Sequence, residues 1–206
     1  MGIAERKDRE RQEMKSLILQ AATRMFIEEG YEKTSLRKIA EQIEYSPATI
    51  YLYYADKDEL FFAIHDEAFK HFFETMYGLD SVTDPFERLV QLGQRYIDFS
   101  MKNPELYDLM FLMEAPMKSQ QVCEEWGHGD RSWEALYQII SECIAAGYFK
   151  SGDALNISRL VFSFMHGLMT VYIRRKKMME DVEAGVTAEE SVLQAFTYFK
   201  NVLRGL

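Results

Sequence analysis

Residues 34–57 read TSLRKIAEQIEYSPATIYLYYADK, and the reading of this stretch decides the fold. Leu36, Ile39, Ala40 and Ile43 recur at helical spacing behind Thr34 and Ser35, whose hydroxyls are good N-caps, so a short first helix buries that stripe. Glu44 and Tyr45 interrupt the pattern. Ser46 then offers a second cap, and Pro47 stands at the first helical position, where its missing N–H costs nothing and its fixed φ is already helical. In the second helix Ile50 and Tyr54 face inward, which leaves Ala48, Thr49, Tyr51, Leu52 and Tyr53 facing outward. Three of those five side chains are large and none is charged, a surface better suited to DNA than to water.

The segment resembles the helix-turn-helix of the TetR family of bacterial transcriptional regulators. The family's pattern falls here on Thr34, Ser35, Ile39, Ala40, Ser46, Thr49, Ile50, Tyr51, Tyr53, Tyr54 and Lys57. The likeness extends upstream to Ala21, Ala22, Met25, Phe26, Gly30 and Tyr31 and downstream to Leu60. Where the family usually has Ala-Gly at the turn, this chain has Ile43-Glu44. Either Glu44 is held at positive φ, or the turn is shaped differently.

The resemblance implies a DNA-binding surface made of Ser35, Arg37, Ser46, Pro47, Ala48, Thr49, Tyr51, Tyr53 and Lys57. Recognition helices read with their N-terminal residues, so Pro47, Ala48 and Thr49 are placed to meet base edges, with Ala48 and the Thr49 methyl suited to thymine methyl groups. Arg37 occupies a family position that reaches a guanine edge; read without the resemblance, Arg37 and Lys38 are a solvated helix face. Tyr51 and Tyr53 offer hydroxyls to phosphates, with core packing as the alternative. Lys57 joins a charge to free N–H groups at a helix start, a natural phosphate site.

The 206 residues, 48% hydrophobic, are enough for one large or two modest folded domains. The net charge of −9 is unevenly spread: residues 1–57 hold ten basic and ten acidic side chains, and the whole acidic excess lies in 58–206. A neutral reading head with local Arg and Lys on an acidic body is expected to show low non-specific affinity for DNA. The N-terminus alternates charges from Glu5 to Arg11 and is not an export signal; with two cysteines, Cys123 and Cys143, this reads as a reduced, cytoplasmic protein. The longest nearly apolar run, Leu160 to Ile173, is shorter than the roughly 20 residues of a membrane span and reads as a buried helix.

Helical periodicity continues along the chain, with no sustained period-two alternation. Residues 11–29 form a helix ended by Gly30, and Asp56 caps a long helix from Lys57 to near Tyr77 that joins head to body without a flexible linker. Asp84-Pro85 opens another, Asn103-Pro104 ends it and starts a helix over 105–114, Gly127-His128-Gly129 reads as a turn, and helices follow over 132–146, 156–177 and 188–203. The fold class is all-α with about nine helices: a three-helix DNA-binding domain over 1–56 and an effector-binding and dimerisation domain over 57–206.

In that second domain Tyr96, Phe99, Tyr107, Met110, Phe111, Trp133, Tyr137, Phe162, Met165, His166 and Met169, with Met113 and Trp126, suggest a cavity for an aromatic or acyl-like compound, although any one of them also suits a core. His166 is either an orienting donor in that pocket or a satisfied core histidine. A single motif reads few base pairs, so a two-fold DNA operator requires a homodimer. Leu160, Phe164, Leu168, Val171 and Tyr172 on one of the last two helices, with Val192, Phe196, Phe199 and Leu203 on the other, exceed one packing face and suggest a four-helix interface.

No His/Cys/Asp cluster has metal-ligand spacing and no nucleophile elbow or phosphate-cradling glycine loop occurs, so neither a metal, a cofactor nor enzymatic chemistry is expected. The implied function is a ligand-responsive repressor released from its operator by a small apolar or aromatic effector. Two alternatives remain at this stage: a helical carrier without DNA binding, and a redox sensor acting through Cys123 and Cys143.

Overall fold

The computed structural model describes residues 2–113, 127–150, 152–182 and 185–205, with the side chains of Ile3 and His128 excepted. Among them are nine helices and no strand: α1 Ile3–Glu29, α2 Leu36–Gln42, α3 Pro47–Tyr51, α4 Lys57–Met76, α5 Pro85–Lys102, α6 Pro104–Phe111, α7 Gly127–Ala145, α8 Ala154–Val182 and α9 Ala188–Leu203. Most helix starts are fixed by one side-chain oxygen. Ser35, Ser46 and Asp84 each accept from the backbone N–H three residues on, as Asp56 does from Glu59 at 2.8 Å. Thr187 opens α9 with a reciprocal capping box, its hydroxyl accepting from the Glu190 N–H at 3.1 Å while the Glu190 carboxylate accepts from the Thr187 N–H at 2.8 Å.

Three boundaries differ from the sequence reading. Helix α1 begins at Ile3 rather than 11, because charged side chains one turn apart, Arg6 with Glu10 and Arg9 with Glu13, support a stretch that has no apolar stripe. Gly127-His128-Gly129 is the first turn of α7 and not a connection. Helix α8 runs past 177 to Val182, with a break in helical geometry at Arg175 (φ −138°, ψ 28°). Helix α8 has 29 residues and an 18-residue stretch of mean hydropathy 1.2, so it is long and apolar enough to cross a membrane by length and composition alone. Its inward stripe of Ile157, Val161, Met165, Met169 and Tyr172 is buried within the protein.

The chain divides into two compact units, Met1–Lys70 with Glu105–Gly127, and His71–Pro104 with His128–Leu206. The division falls inside α4 and assigns α6 to the N-terminal unit. That unit is organised on Ile18, Ala22, Phe26, Ile39, Ala40, Ile50 and Leu60, with Leu109 of α6 in the same core. Tyr31 stacks on Phe26 at 5.6 Å between centroids, and Phe61 meets both rings edge-on at 5.3 Å. Thr34, which the sequence offered as a cap, is instead buried, its hydroxyl donating to the Gly30 carbonyl at 2.9 Å, and Ser35 alone caps α2.

In the second unit Phe72, Tyr96 and Phe99 form a T-shaped ring cluster (5.1 and 5.6 Å from Phe72). Helix α9 lays Val192, Phe196, Phe199 and Leu203 inward, and Phe199 stacks on Phe164 of α8 at 3.8 Å. Gly93 of α5 is a true spacing requirement: a Cβ there would lie 2.8 Å from the Phe196 ring. The far end of the α8–α9 pair is pinned by Glu189, which accepts from Tyr172 Oη at 2.8 Å and from Lys176 Nζ at 2.5 Å.

Candidate nucleic-acid interface and effector cavity

The turn between α2 and α3 is built without glycine. Glu44 sits at φ +60°, its N–H donating to Glu41 O at 3.2 Å, and the Tyr45 N–H reaches back to Ala40 O at 2.9 Å. This pair of bonds is a Schellman motif with Glu44 in the position glycine favours, so of the two shapes open to Ile43-Glu44 the chain adopts the strained residue in the ordinary turn. Ser46 follows at once. Its Oγ accepts from the Thr49 N–H at 3.2 Å and lies 3.0 Å from Thr49 Oγ1, which orients the start of α3.

The ridge so formed is exposed where it matters for contact. Ala48 and Ser46 are exposed, Tyr51 is 58% exposed, and Leu52, at 77%, is the most exposed large side chain of the motif. Leu52 was legible as outward-facing, and Tyr45, 44% exposed just before the cap, adds a further exposed ring that the sequence reading did not single out. Pro47 and Thr49 are half-buried, and Tyr53 is half-buried against the core of its unit, so its ring is largely a packing element.

The cations of the motif differ in freedom. Arg37 is 81% exposed and, among the described residues, paired only with Glu41 one turn on, at 3.2 Å, an arrangement worth about 0.3–0.5 kcal/mol and easily exchanged for a base or phosphate. Ser35 lies beside it and is exposed. Lys38, in contrast, is tied to Glu29 at 3.0 Å and to the Lys33 carbonyl at 2.8 Å. Lys57 is engaged within its own unit: its ammonium lies 3.9 Å from the Tyr31 ring centroid and donates to the Tyr31 carbonyl at 2.9 Å. The ring face and a carbonyl just past the end of α1 hold this cation at the start of α4. Tyr31 is itself locked, since its hydroxyl donates to Asp58 and burial with that carboxylate holds its pKa well above the ordinary value.

The second unit encloses an apolar cavity of about 60 Å³. Of the expected pocket residues, Tyr96, Phe162 and Met165 line it. Phe196 and Phe199, expected at a subunit interface, form its wall together with Phe86 and Gly93, and Lys200 is the only charged residue of the lining. Lys200 Nζ lies 5.2 Å from the Phe196 ring centroid. The remaining expected pocket residues lie elsewhere. Phe99 and Met169 are buried core; Tyr107, Met110 and Phe111 sit on α6 in the N-terminal unit, where Phe111 meets Phe69 edge-on and the Met110 carbonyl lies 3.0 Å from His65 Nε2; and Tyr137 is 42% exposed. Trp133 packs edge-on against Phe162, which stacks on His166 at 5.3 Å; burial lowers the pKa of His166, keeping the ring neutral. Met113 packs on the N-terminal core, and Trp126 lies outside the described residues.

The interface residues expected on α9 are likewise corrected. Val192, Phe196, Phe199 and Leu203 are all buried within the protomer, as is Tyr172 on α8, because they form one stripe at helical spacing that faces the protein's own α5 and α8. The outward apolar residues of α9 are Leu193, Tyr198 and Val202, at 43%, 74% and 46% exposure. Of the interface residues expected on α8, Leu160 and Val171 are exposed, beside Leu155, Met178 and Val182, while Phe164 and Leu168 are half-buried and Phe164 stacks on Phe199. Cys143 is buried, and burial pushes its thiol up to about 12, so it is neither nucleophilic nor readily oxidised. Cys123 lies outside the described residues. Among the described residues no group of His, Cys, Asp or Glu could hold a metal ion.

Comparison with known proteins matches residues 18–64 to "Bacterial regulatory proteins, tetR family" and residues 89–193 to "Tetracyclin repressor-like, C-terminal domain". A fatty acid metabolism regulator protein of Bacillus subtilis (strain 168) is 34% identical over 160 residues, which are 76% of this chain and 81% of that protein. Among solved structures, a TetR-family regulator from Syntrophomonas wolfei superposes with a TM-score of 0.73 at 22% identity, covering 95% of this chain and 97% of the other. The regulator FadR from Bacillus subtilis in complex with stearoyl-CoA superposes with a TM-score of 0.70 at 21% identity, covering 88% and 95%.

Proposed function

This chain belongs to the TetR family of bacterial regulatory proteins, and from that premise we propose that it is a cytoplasmic repressor that leaves its operator when an apolar, acyl-type effector binds. It is a ligand-responsive DNA-binding transcriptional regulator. The observation that carries the reading is the capped, uncharged ridge of α3, with Ala48, Tyr51 and Leu52 exposed beside a loosely paired Arg37. Thr49 and Ala48 read bases, Tyr51 and Ser35 position the duplex through phosphates, and Arg37 supplies the mobile cation. The working division is a reading head over 1–56 and an effector and dimer body over 57–206.

The effector class rests on the apolar cavity with Lys200 as its one charged wall, and on the stearoyl-CoA complex of the Bacillus subtilis regulator. An effector releases DNA only by the amount it prefers the protein conformation that does not fit the operator. The homodimer forms through Leu160, Phe164, Leu168 and Val171 of α8 with Leu193, Tyr198 and Val202 of α9, an isologous surface used by both copies.

Selection from a random duplex library tests the reading. It is expected to yield a two-fold symmetric site with half-sites about 34–36 Å apart. On that site Thr49→Ala and Tyr51→Ala are each expected to weaken binding by roughly 5–10-fold, about one hydrogen bond or methyl contact. No enriched site, or unchanged affinity in both variants, defeats it.

A further inference from the structure

The first eight residues of α1, Ile3 to Glu10, project a helix beyond the apolar stripe that anchors it, and their charges are sorted by face. At 3.6 residues per turn, Lys7, Arg11 and Lys15 advance by about 40° each and share an arc of about 80°, within which Ile18 and Ala22 also fall. Arg6 and Arg9 lie on the other side, where they are neutralised by Glu10 at 2.7 Å and Glu13 at 3.7 Å. Lys7, Arg11 and Lys15 meet no carboxylate within 4.0 Å among the described residues, and Asp8 flanks the ridge without pairing to it. Lys7 and Arg11 are exposed and Lys15 is half-buried.

The face that is cationic here is the face that, two turns later, packs against the helix-turn-helix. Glu29 at the end of α1 pairs with Lys38 in the first turn of α2, and only a short connection separates the two helices. Ile18 and Ala22 of α1 share one core with Ile39 and Ala40 of α2 and Ile50 of α3, so the cationic ridge continues the side of α1 that carries the motif.

We infer that Lys7, Arg11 and Lys15 form a second, sequence-independent contact to the phosphate backbone of the duplex that α3 reads. This rests on the DNA-binding reading above and adds a footprint beyond the motif, on a side where the paired cations of the opposite face cannot serve. Three contacts steepen the salt dependence of binding by about 0.9 each.

The test is the slope of log K against log salt for a random-sequence 30-base-pair duplex, measured by fluorescence anisotropy on the full chain. K7Q/R11Q/K15Q is expected to lower the magnitude of the slope by about 2–3 per bound protomer, and K7Q/R11Q, which leaves the half-buried Lys15 intact, by about 2. R6Q/R9Q, on the paired face, is expected to leave the slope within about 0.5 of the parent. Far-ultraviolet circular dichroism checks that each variant keeps its helix. A parent that binds with a steep slope unchanged in both ridge variants overturns the inference alone. An equal loss in R6Q/R9Q overturns the assignment of face, and a parent with no salt-dependent binding overturns the DNA-binding reading beneath it.

Discussion

Glu44 offers a test in which sign and size both follow from geometry. A non-glycine residue at φ +60° carries about 1–2 kcal/mol of steric strain from its Cβ. Glu44→Gly removes that strain and keeps both Schellman hydrogen bonds, which are made by the backbone, while the added freedom of the unfolded chain costs about 0.4–1 kcal/mol. Among the described residues the exposed Glu44 side chain makes no ion pair or hydrogen bond that would be forfeited. The net is a stabilisation of about 0.5–1 kcal/mol, or a rise in Tm of roughly 1–4 °C for a chain of this size. Glu44→Val, β-branched at the same φ, is expected to fall below the parent by about 1–2 kcal/mol. Differential scanning calorimetry of the three proteins reads the order Gly above Glu above Val. A Glu44→Gly variant less stable than the parent would refute the account of this turn, because it would mean that the left-handed residue carries a stabilising side-chain contact.

Further outcomes are expected elsewhere. Gly93→Ala places a methyl 2.8 Å from the Phe196 ring and should cost about 1–3 kcal/mol, read as a lower Tm that Phe196→Leu partly restores; an unchanged Tm would show that α5 and α9 are free to part. Glu189 is held at about 2 by the Lys176 ammonium and the Tyr172 hydroxyl, so its carboxylate stabilises the fold at pH above its ordinary range near 4.5 and loses that contribution as pH falls towards 2. Glu189→Gln should thus lower the urea midpoint at pH 7, modestly because both charges are nearly half exposed, and the gap from the parent should close below pH 4; a gap independent of pH would assign the loss to packing. In a Cys123→Ser background, native Cys143 should resist iodoacetamide at pH 7.5, since burial holds its thiol near 12; rapid alkylation would reopen the redox alternative.

The parts of this protein written in local chemistry were legible in its sequence. Ser35, Ser46, Asp56 and Asp84 mark helix starts because a capping oxygen acts on N–H groups three residues away, whereas Ile43-Glu44 left two turn shapes open, of which the chain adopts the one with Glu44 at positive φ. What was misjudged depends on partners distant in sequence. Helical spacing on α9 picks out Val192, Phe196, Phe199 and Leu203 as one stripe, but whether that stripe meets the protein's own α5 or a second copy is settled only by what packs there. Tyr107 and Phe111 look like any other aromatic pair of the second half until Leu109 is found in the N-terminal core. The start of α1 was missed because its stabilisation comes from alternating ion pairs, which leave no apolar period to read.

The placement of α6 bears on how such regulators can be recombined. Because residues 105–127 group with residues 1–70, the covalent chain enters and leaves each unit more than once, and no single cut separates them. A chimera that grafts only residues 1–56 onto a foreign sensor would leave behind Leu60, Phe61, Ile64 and Leu109, all of which are core side chains of the donor unit. Transplanting the specificity of this protein intact means moving two discontinuous pieces together, and exchanging one piece alone trades a change of operator for a hole in the module that reads it.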